Sequence, residues 1–352
     1  MPREVELLIQ DIAFGGKGVG RSEGKAVFVP FTIEGERVAA RIVREKKSFA
    51  EAKLVRVLEA SPDRAAPPCP YFGRCGGCSY QHMRYEHQLQ VKAHQVKQAL
   101  RRIGKFREPP LRAIVPSPRE YEYRNRITVH AEDGIVGFFR HDAHQLIDVE
   151  RCLIAAAPAN DDLAALRARR PRDGHYTLRG QRGPHVFSQT NDAVASHLAD
   201  AMAALIPPHQ LLLIDAYCGA GFFAKHHLPE FSQVVGLDWD VHAIAAAQNG
   251  ASSAESYIAG EIAPLLRAQL ALCDPSLTTV ILDPPATGLS TEVRDILRAH
   301  PVAALLYVSC NPPTMARDLA ELAAAFRLES VTPFDMFPQT AEIEVLAHLS
   351  AA

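Results

Sequence analysis

No apolar run in the 352-residue chain approaches the length of a membrane span, which excludes a spanning helix of ordinary kind. The opening MPREVELLIQ has neither the basic start nor the apolar stretch of a secretory signal, so a cytoplasmic location is expected. Seven cysteines stand at 69, 75, 78, 152, 218, 273 and 310, and an odd number in a cytosolic chain argues against a disulfide framework. The run Gly15-Gly16-Lys17-Gly18-Val19-Gly20 has no helix after it and no closing Lys-Ser/Thr pair, which argues against a phosphate-binding loop. The pair Gly219 and Gly221 lacks the third glycine of a dinucleotide fingerprint.

The composition, 47% hydrophobic and 22% charged, is that of a globular chain long enough for two or three domains. The net charge of -2 conceals an asymmetry. Residues 1–112 hold 21 Lys and Arg against 12 Asp and Glu, and the remaining 240 hold 17 against 28. A basic front on an acidic body suggests a polyanion partner for the front half.

Strand-like runs at 5–9, 26–29, 37–43 and 52–58, separated by glycine-rich turns, suit a small OB-like barrel. The open face of such a barrel commonly binds single-stranded nucleic acid. Residues 61–68 (SPDRAAPP) read as a linker. Cys69, Cys75 and Cys78 then enclose five and two residues, with Cys152 as the natural fourth ligand. Four thiolates fit an iron–sulfur cluster or a tetrahedral zinc, and a single Cys-x2-Cys pair favours iron–sulfur. Residues 83–105 read as a basic amphipathic helix, with Leu89, Val96, Leu100 and Ile103 on one face and Lys92, Lys97, Arg101, Arg102 and Lys105 around the rest. A β-rich stretch from Tyr121 to Ile154 and a helical piece follow, then a helix from Asp192 to Leu205.

The last 150 residues alternate strand and helix, the pattern of a doubly wound α/β sheet. Strands end at Asp215, Asp238, Asp283 and Ser309, so their loops should open on one sheet edge. The Gly219/Gly221 turn lets the backbone approach a nucleotide-like ligand, and Asp238, 23 residues after Asp215, can bond two ribose hydroxyls. One Gly-x-Gly together with Asp283-Pro284-Pro285 fits S-adenosylmethionine better than NAD. Pro312 and Pro313 forbid a continuing strand after Val308-Ser309-Cys310-Asn311, which brings the Cys310 thiol to the sheet rim. The chain ends in two strands, 329–335 and 341–347, read as a tight edge hairpin with Glu342 and Glu344 on one face.

This combination resembles the RNA uracil-5-methyltransferases that carry an N-terminal TRAM domain and a four-cysteine iron–sulfur cluster. The resemblance rests on the glycine-rich residues 14–20, Cys69/Cys75/Cys78 with Cys152, Tyr123-Arg124-Asn125, and Phe187-Ser188-Gln189-Thr190-Asn191. It rests further on Asp215-Ala216-Tyr217-Cys218-Gly219, Ser309-Cys310-Asn311-Pro312 with Ala316-Arg317-Asp318-Leu319, and Phe337-Pro338-Gln339-Thr340 with Glu344. It implies a TRAM domain over 1–60, a central iron–sulfur domain over 61–184 and a methyltransferase domain over 185–352. It also implies Cys310 as nucleophile and Glu344 as general base. Gln189, Tyr217, Gly219, Asp238 and Asp283 are then the positions that bind S-adenosylmethionine, and Cys69, Cys75, Cys78 and Cys152 the ligands of a [4Fe-4S] cluster. The implied partner is RNA, ribosomal in preference to transfer RNA, with no membrane, and the enzyme is expected to act as a monomer.

The chain departs from the family at Phe222, commonly Asn; at Ala286, commonly Arg; and at Glu342, commonly His. Amino-group methylases want an aromatic residue where Ala286 stands, and cytosine-5 RNA methylases want a second cysteine in that loop. Radical enzymes with a TRAM domain space their cysteines three then two. A non-catalytic RNA-binding module is the remaining alternative.

Overall fold

The computed structural model describes residues 3–180 and 189–352. These fall into two compact units. The first comprises residues up to 95, 118 to the start of the undescribed stretch, and 337–342; the second comprises 96–117, the residues from 189 to 336, and 343–352.

The first unit opens with β1 (Glu4–Leu8), β2 (Asp11–Ile12), β3 (Lys17–Ser22), β4 (Lys25–Pro30), β5 (Arg37–Glu45) and β6 (Phe49–Glu59). They form a six-stranded half-barrel in the order β1-β5-β6-β4-β3-β2. Leu7, Ile9, Val27, Val29, Val38, Ala40, Ala50 and Ala52 fill its interior, as alternation along a half-buried strand requires. The glycine run read as a turn is largely β3 itself. A Cβ on Gly18 would lie 2.0 Å from the Thr32 hydroxyl, so glycine is demanded by close packing there.

The stretch 61–68, read as a linker, is anchored to the half-barrel at Ser61 and Arg64, while Pro62, Ala66, Pro67 and Pro68 are exposed. The fully buried Glu36 accepts the Ile33 and Ser61 amides at 2.9 and 3.2 Å and the Arg64 guanidinium at 2.7 Å. Burial works to raise the Glu36 pKa, but the Arg64 bond and charge and these amides together hold it below the ordinary carboxylate value.

The first unit continues with α1 (Tyr85–Arg102), whose first eleven residues belong to it, then β7 (Ile127–Glu132), β8 (Ile135–Phe139), β9 (Leu146–Asp148), α2 (Ala157–Ala168) and β10 (Gly174–Leu178). The sheet order is β10-β7-β8-β9, with α2 covering one face through Ala159, Leu163 and Leu166. The stretch read as purely helical thus supplies an edge strand as well. Lys92 is not on a basic surface. It is fully buried, its ammonium bonding the Phe337 carbonyl at 2.9 Å and lying 5.9 Å from the Tyr80 ring centre. Ile103 is exposed beyond the end of α1, whereas Val91, Val96, Ala99 and Leu100 are buried.

The second unit follows α3 (Asp192–Ala203) with β11 (Leu212–Ala216), α4 (Phe222–His227), β12 (Gln233–Asp238), α5 (Val241–Gln248), β13 (Glu255–Ala259) and α6 (Ile262–Leu270). Then come β14 (Thr278–Leu282), α7 (Thr291–Ala299), β15 (Ala304–Ser309), α8 (Pro312–Leu322), β16 (Phe326–Phe334) and β17 (Glu344–Ala351). The seven strands run β13-β12-β11-β14-β15-β17-β16, the first five parallel and β17 antiparallel to both neighbours. Every residue of β14 and β15 is buried, which explains why those runs are largely apolar on both faces.

The two last strands do pair antiparallel, but they are not a tight edge hairpin. β17 inserts between β15 and β16, and the connection between them detours through residues 337–342 of the first unit. There the Gln339 carbonyl accepts the Ser79 and Tyr80 amides at 3.0 Å each, and Tyr123 bonds the Pro338 carbonyl at 3.0 Å. No helix among the described residues is long and apolar enough to cross a membrane.

Arg64→Ala leaves the Glu36 carboxylate buried without its cation, and is expected to destabilise the first unit by about 3 kcal/mol or more. Urea unfolding followed by circular dichroism, wild type against variant, measures it.

Candidate active site

The loop after β11 has a backbone that few residues tolerate. Tyr217, Gly219 and Gly221 have φ of +67°, +54° and +82°. Left-handed conformation is free for glycine but costs a tyrosine on the order of 1 kcal/mol or more, so Tyr217 must be held there. Its amide and that of Cys218 both donate to the Leu237 carbonyl, at 2.8 and 3.0 Å. A Cβ on Gly221 would sit 3.0 Å from the Tyr257 ring.

Asp238 ties this loop to the end of β12, one oxygen accepting the Gly219 amide at 2.8 Å and the other the Asp240 amide at 2.9 Å. Asp215, fully buried, accepts the Ala224 amide at 2.9 Å and fixes the start of α4. Gln189, just inside the described residues, donates to Asp283 at 3.4 Å. Phe187 and Ser188 lie outside the described residues. The rim therefore gathers Gln189, Tyr217, Gly219, Asp238 and Asp283, all the residues read as donor-binding.

Three carboxylates this close repel one another. Burial pushes Asp283 up to about 7, with the Asp238 charge adding to it. Burial pushes Asp215 up to about 8, with Asp283 and Asp238 contributing. A cationic ligand relieves that repulsion, so the rim suits a sulfonium better than an anion.

Cys310 follows the last residue of β15 and is half-buried, two residues before Pro312 opens α8. Asn311 caps that helix and bonds the Ala286 carbonyl at 3.0 Å, and Thr314 reaches the same carbonyl at 3.1 Å. The Asp-Pro-Pro loop is thus held to the start of α8 through a main-chain oxygen. Glu344 is the first residue of β17 and is 5% exposed, not a solvated edge charge. Ser309 pairs with Val345 at the end of the antiparallel ladder, so Cys310 and Glu344 come next on their two chains at the same end of the sheet. Glu342 is exposed and lies outside β17.

Asp318 is the residue whose part the sequence reading did not foresee. Fully buried, it accepts the Leu289 amide at 2.8 Å, the Tyr307 hydroxyl at 2.8 Å, Arg294 at 3.0 Å and Arg317 at 2.7 Å. It thereby locks the Asp283–Ser290 loop to α8 behind Cys310. A Cβ on Gly288, whose φ is +75°, would lie 2.4 Å from it. The available signal was an aspartate on the apolar face of α8, which must have buried partners.

In the first unit, Cys69, Cys75, Cys78 and Cys152 line one cavity of about 380 Å³. The peptide at Gly76 bonds the Phe139 carbonyl at 2.9 Å, stitching the cysteine loop to β8, and Asn160 bonds the Cys152 amide at 2.9 Å. Burial pushes Cys78 up to about 12, and the other three thiols add to the rise. Among the described residues no three His, Cys, Asp or Glu side chains converge on a single ion position.

A seven-stranded sheet of this order, with its glycine-rich loop after β11, Asp238 ending β12 and Asp283 following β14, is the Rossmann-like fold of methyltransferases. The model of the tRNA (uracil-5-)-methyltransferase family matches residues 264–351, and that of the TRAM domain residues 3–55. The 23S rRNA (uracil(1939)-C(5))-methyltransferase of Acidithiobacillus ferrooxidans is 30% identical over 97% of this chain and 96% of its own. An uncharacterized RNA methyltransferase of Bdellovibrio bacteriovorus is 31% identical over 98% and 95%. The Pyrococcus abyssi tRNA (uracil-54, C5)-methyltransferase, solved with S-adenosyl-L-homocysteine, matches in fold with a TM-score of 0.72 at 22% identity, covering 98% of this chain and all of that one. The chain belongs to the RNA (uracil-5-)methyltransferase family, enzymes that methylate carbon 5 of uridine in RNA using S-adenosylmethionine, and carries a TRAM domain.

Asp283 and Asp215 retain protons when folded that an unfolded chain releases near pH 4. The folded state therefore binds more protons between about pH 4 and pH 7–8, and this contribution to stability falls as pH rises through that window. The melting temperature of the free enzyme is expected to drop between pH 6 and 8.5, and Asp215→Asn to flatten the drop. The stabilisation by added S-adenosylmethionine should grow over the same range. Calorimetry at both pH values reads all three.

Proposed function

We propose that this enzyme methylates a uridine of large-subunit ribosomal RNA, with Cys310 as nucleophile and Glu344 as base. The observation that supports the reading is the antiparallel pairing of Ser309 with Val345, which leaves Cys310 and Glu344 next to that pair at one end of the sheet. Carbon 5 of uracil is a poor nucleophile toward a sulfonium methyl. The Cys310 thiolate adds to carbon 6, and the resulting enolate attacks the methyl through carbon 5, releasing S-adenosylhomocysteine. Glu344 then takes the carbon 5 proton, the ring double bond re-forms and the carbon 6–sulfur bond breaks. The uridine must leave its stack to reach both groups.

Gln189, Tyr217, Gly219, Asp238 and Asp283 bind the donor in this reading: the carboxylates favour its sulfonium, and Asp238 meets the ribose. Once the methyl has left, the product lacks that positive charge and is held less tightly. Cys69, Cys75, Cys78 and Cys152 would hold a [4Fe-4S] cluster, which when bound supplies four iron–sulfur bonds cross-linking the 69–78 loop to Cys152. Methyl transfer itself consumes no electrons, so the cluster's part is structural. The division into residues 1–60, 61–184 and 185–352, action as a monomer and a cytoplasmic location complete the reading. Ribosomal RNA is preferred because a TRAM domain and the four-cysteine loop accompany the catalytic half, and because a near full-length relative bears that activity in its name.

Cys310→Ala should abolish methyl transfer, a loss of at least about 10⁴-fold, while leaving donor binding intact. Glu344→Gln should instead accumulate a protein–RNA adduct that survives denaturing electrophoresis. Mapping 5-methyluridine in RNA from a strain lacking the gene identifies the target: loss from transfer RNA alone defeats the ribosomal assignment. Anaerobically purified protein should be brown and contain iron and sulfide, and stoichiometric zinc without sulfide defeats the cluster.

A further inference from the structure

A second cavity of the first unit, about 720 Å³, lies between the half-barrel and the cysteine loop, with Cys78 on its lining and none of the residues assigned to methyl transfer. Its aromatic wall is built and braced. The rings of Phe31 and His141 stack at 4.9 Å and 17°, and Phe72 braces Phe31 edge-on at 5.1 Å. Phe28, also lining the cavity, is braced by Phe49 at 5.8 Å.

Phe31 holds a φ of +63°, a conformation that costs a non-glycine residue about 1–3 kcal/mol. Arg64 stabilises it by bonding the Phe31 carbonyl at 2.9 Å. Strain maintained in this way, at an aromatic ring lining an open groove, points to a ligand clamp.

The charges define the ligand. Lys53 and Arg140 bond Asp142 at 2.7 and 2.8 Å, and Lys17 bonds Glu51 at 3.0 Å. Three cations share two carboxylates, and each is engaged in an ion pair with which a phosphate would have to compete. A neutral, flat ring with donors and acceptors on its edge loses nothing by entering. Such a ring can stack on His141 and Phe31 while Lys53, Asp142, Lys17 and Glu51 meet its edge. A cavity of this size accommodates a nucleotide-sized ligand.

We propose that this groove takes one unpaired nucleobase of the substrate RNA, stacked on the His141–Phe31 pair and hydrogen-bonded at its edge. The inference rests on RNA being the substrate, and not on which RNA is methylated. It gives the TRAM half a grip on single-stranded RNA that does not act through phosphate charge.

The test uses the full-length protein and a 12-nucleotide single-stranded RNA containing 2-aminopurine, with binding measured over a range of salt. His141→Ala should weaken binding by at least about five-fold. It should also abolish the quenching of 2-aminopurine and leave the slope of log affinity against log salt unchanged. Lys46→Ala with Lys47→Ala, two exposed lysines outside the groove, should make that slope shallower and leave quenching intact. Melting temperature and S-adenosylhomocysteine binding, unchanged in His141→Ala, establish that the variant is folded. Wild-type affinity in His141→Ala, persistence of quenching, a shallower salt slope, or equal quenching with duplex RNA would each overturn the proposal. Methyl transfer is not measured, so an incorrect assignment of the target RNA leaves these outcomes unaffected.

Discussion

The catalytic half depends on one strand pairing, the antiparallel insertion of β17 between β15 and β16. A strand that ran parallel at this place would carry Glu344 to the far end of the sheet from Cys310. Reversal brings its first residue to the edge where the parallel strands end, the same edge that carries the donor loop. Register then matters as much as direction, because a slip of one residue would turn every side chain of β17 to the opposite face. Both faces of β17 are covered at Val345-Leu346-Ala347, so a slip would set each side chain against packing shaped for its neighbour, at a cost of roughly 1–3 kcal/mol for each overpacked position.

Around that pairing, the site is braced from behind. Asp318 draws together a loop amide, a strand hydroxyl and two guanidinium groups, so the turn bearing Asp283 and the turn bearing Cys310 move as one piece. Its own burial is tolerable because each oxygen has hydrogen-bond donors and two cations oppose its charge. The donor side is arranged in the opposite sense. Asp215, Asp238 and Asp283 are gathered with little cationic compensation, an unfavourable arrangement in the free protein and a favourable one for a positively charged guest.

The first unit divides its labour similarly. The Glu36–Arg64 pair ties the half-barrel to the segment leading into the cysteine loop, and hydrogen bonds from Gly76 and Asn160 hold that loop and Cys152 about one cavity. The detour of residues 337–342 through this unit accounts for several buried polar groups that look misplaced in the sequence, Lys92 and Gln88 among them. Gln88 and Gln339 bond one another in both directions, at 3.0 and 3.1 Å.

The local signals in the sequence were sufficient for four strands of the half-barrel, the four parallel strands that carry the terminal loops, the Cys310 turn and the cysteine spacing. These features repeat at short range: apolar periodicity, glycine and proline punctuation, and fixed intervals between ligands. Contacts between distant residues were beyond it. Nothing local to β3 says that Gly18 faces Thr32, and nothing in α1 says that Lys92 ends on the Phe337 carbonyl. A closing pair of strands reads as a hairpin until another strand is seen to need the place between β15 and β16. The role of Asp318 is of the same kind, since a buried carboxylate is defined by partners gathered from three separate segments. Sequence alone settled which chemical groups are present and which local turns present them; only tertiary packing decided which groups meet, because burial and register are properties of residues far apart along the chain.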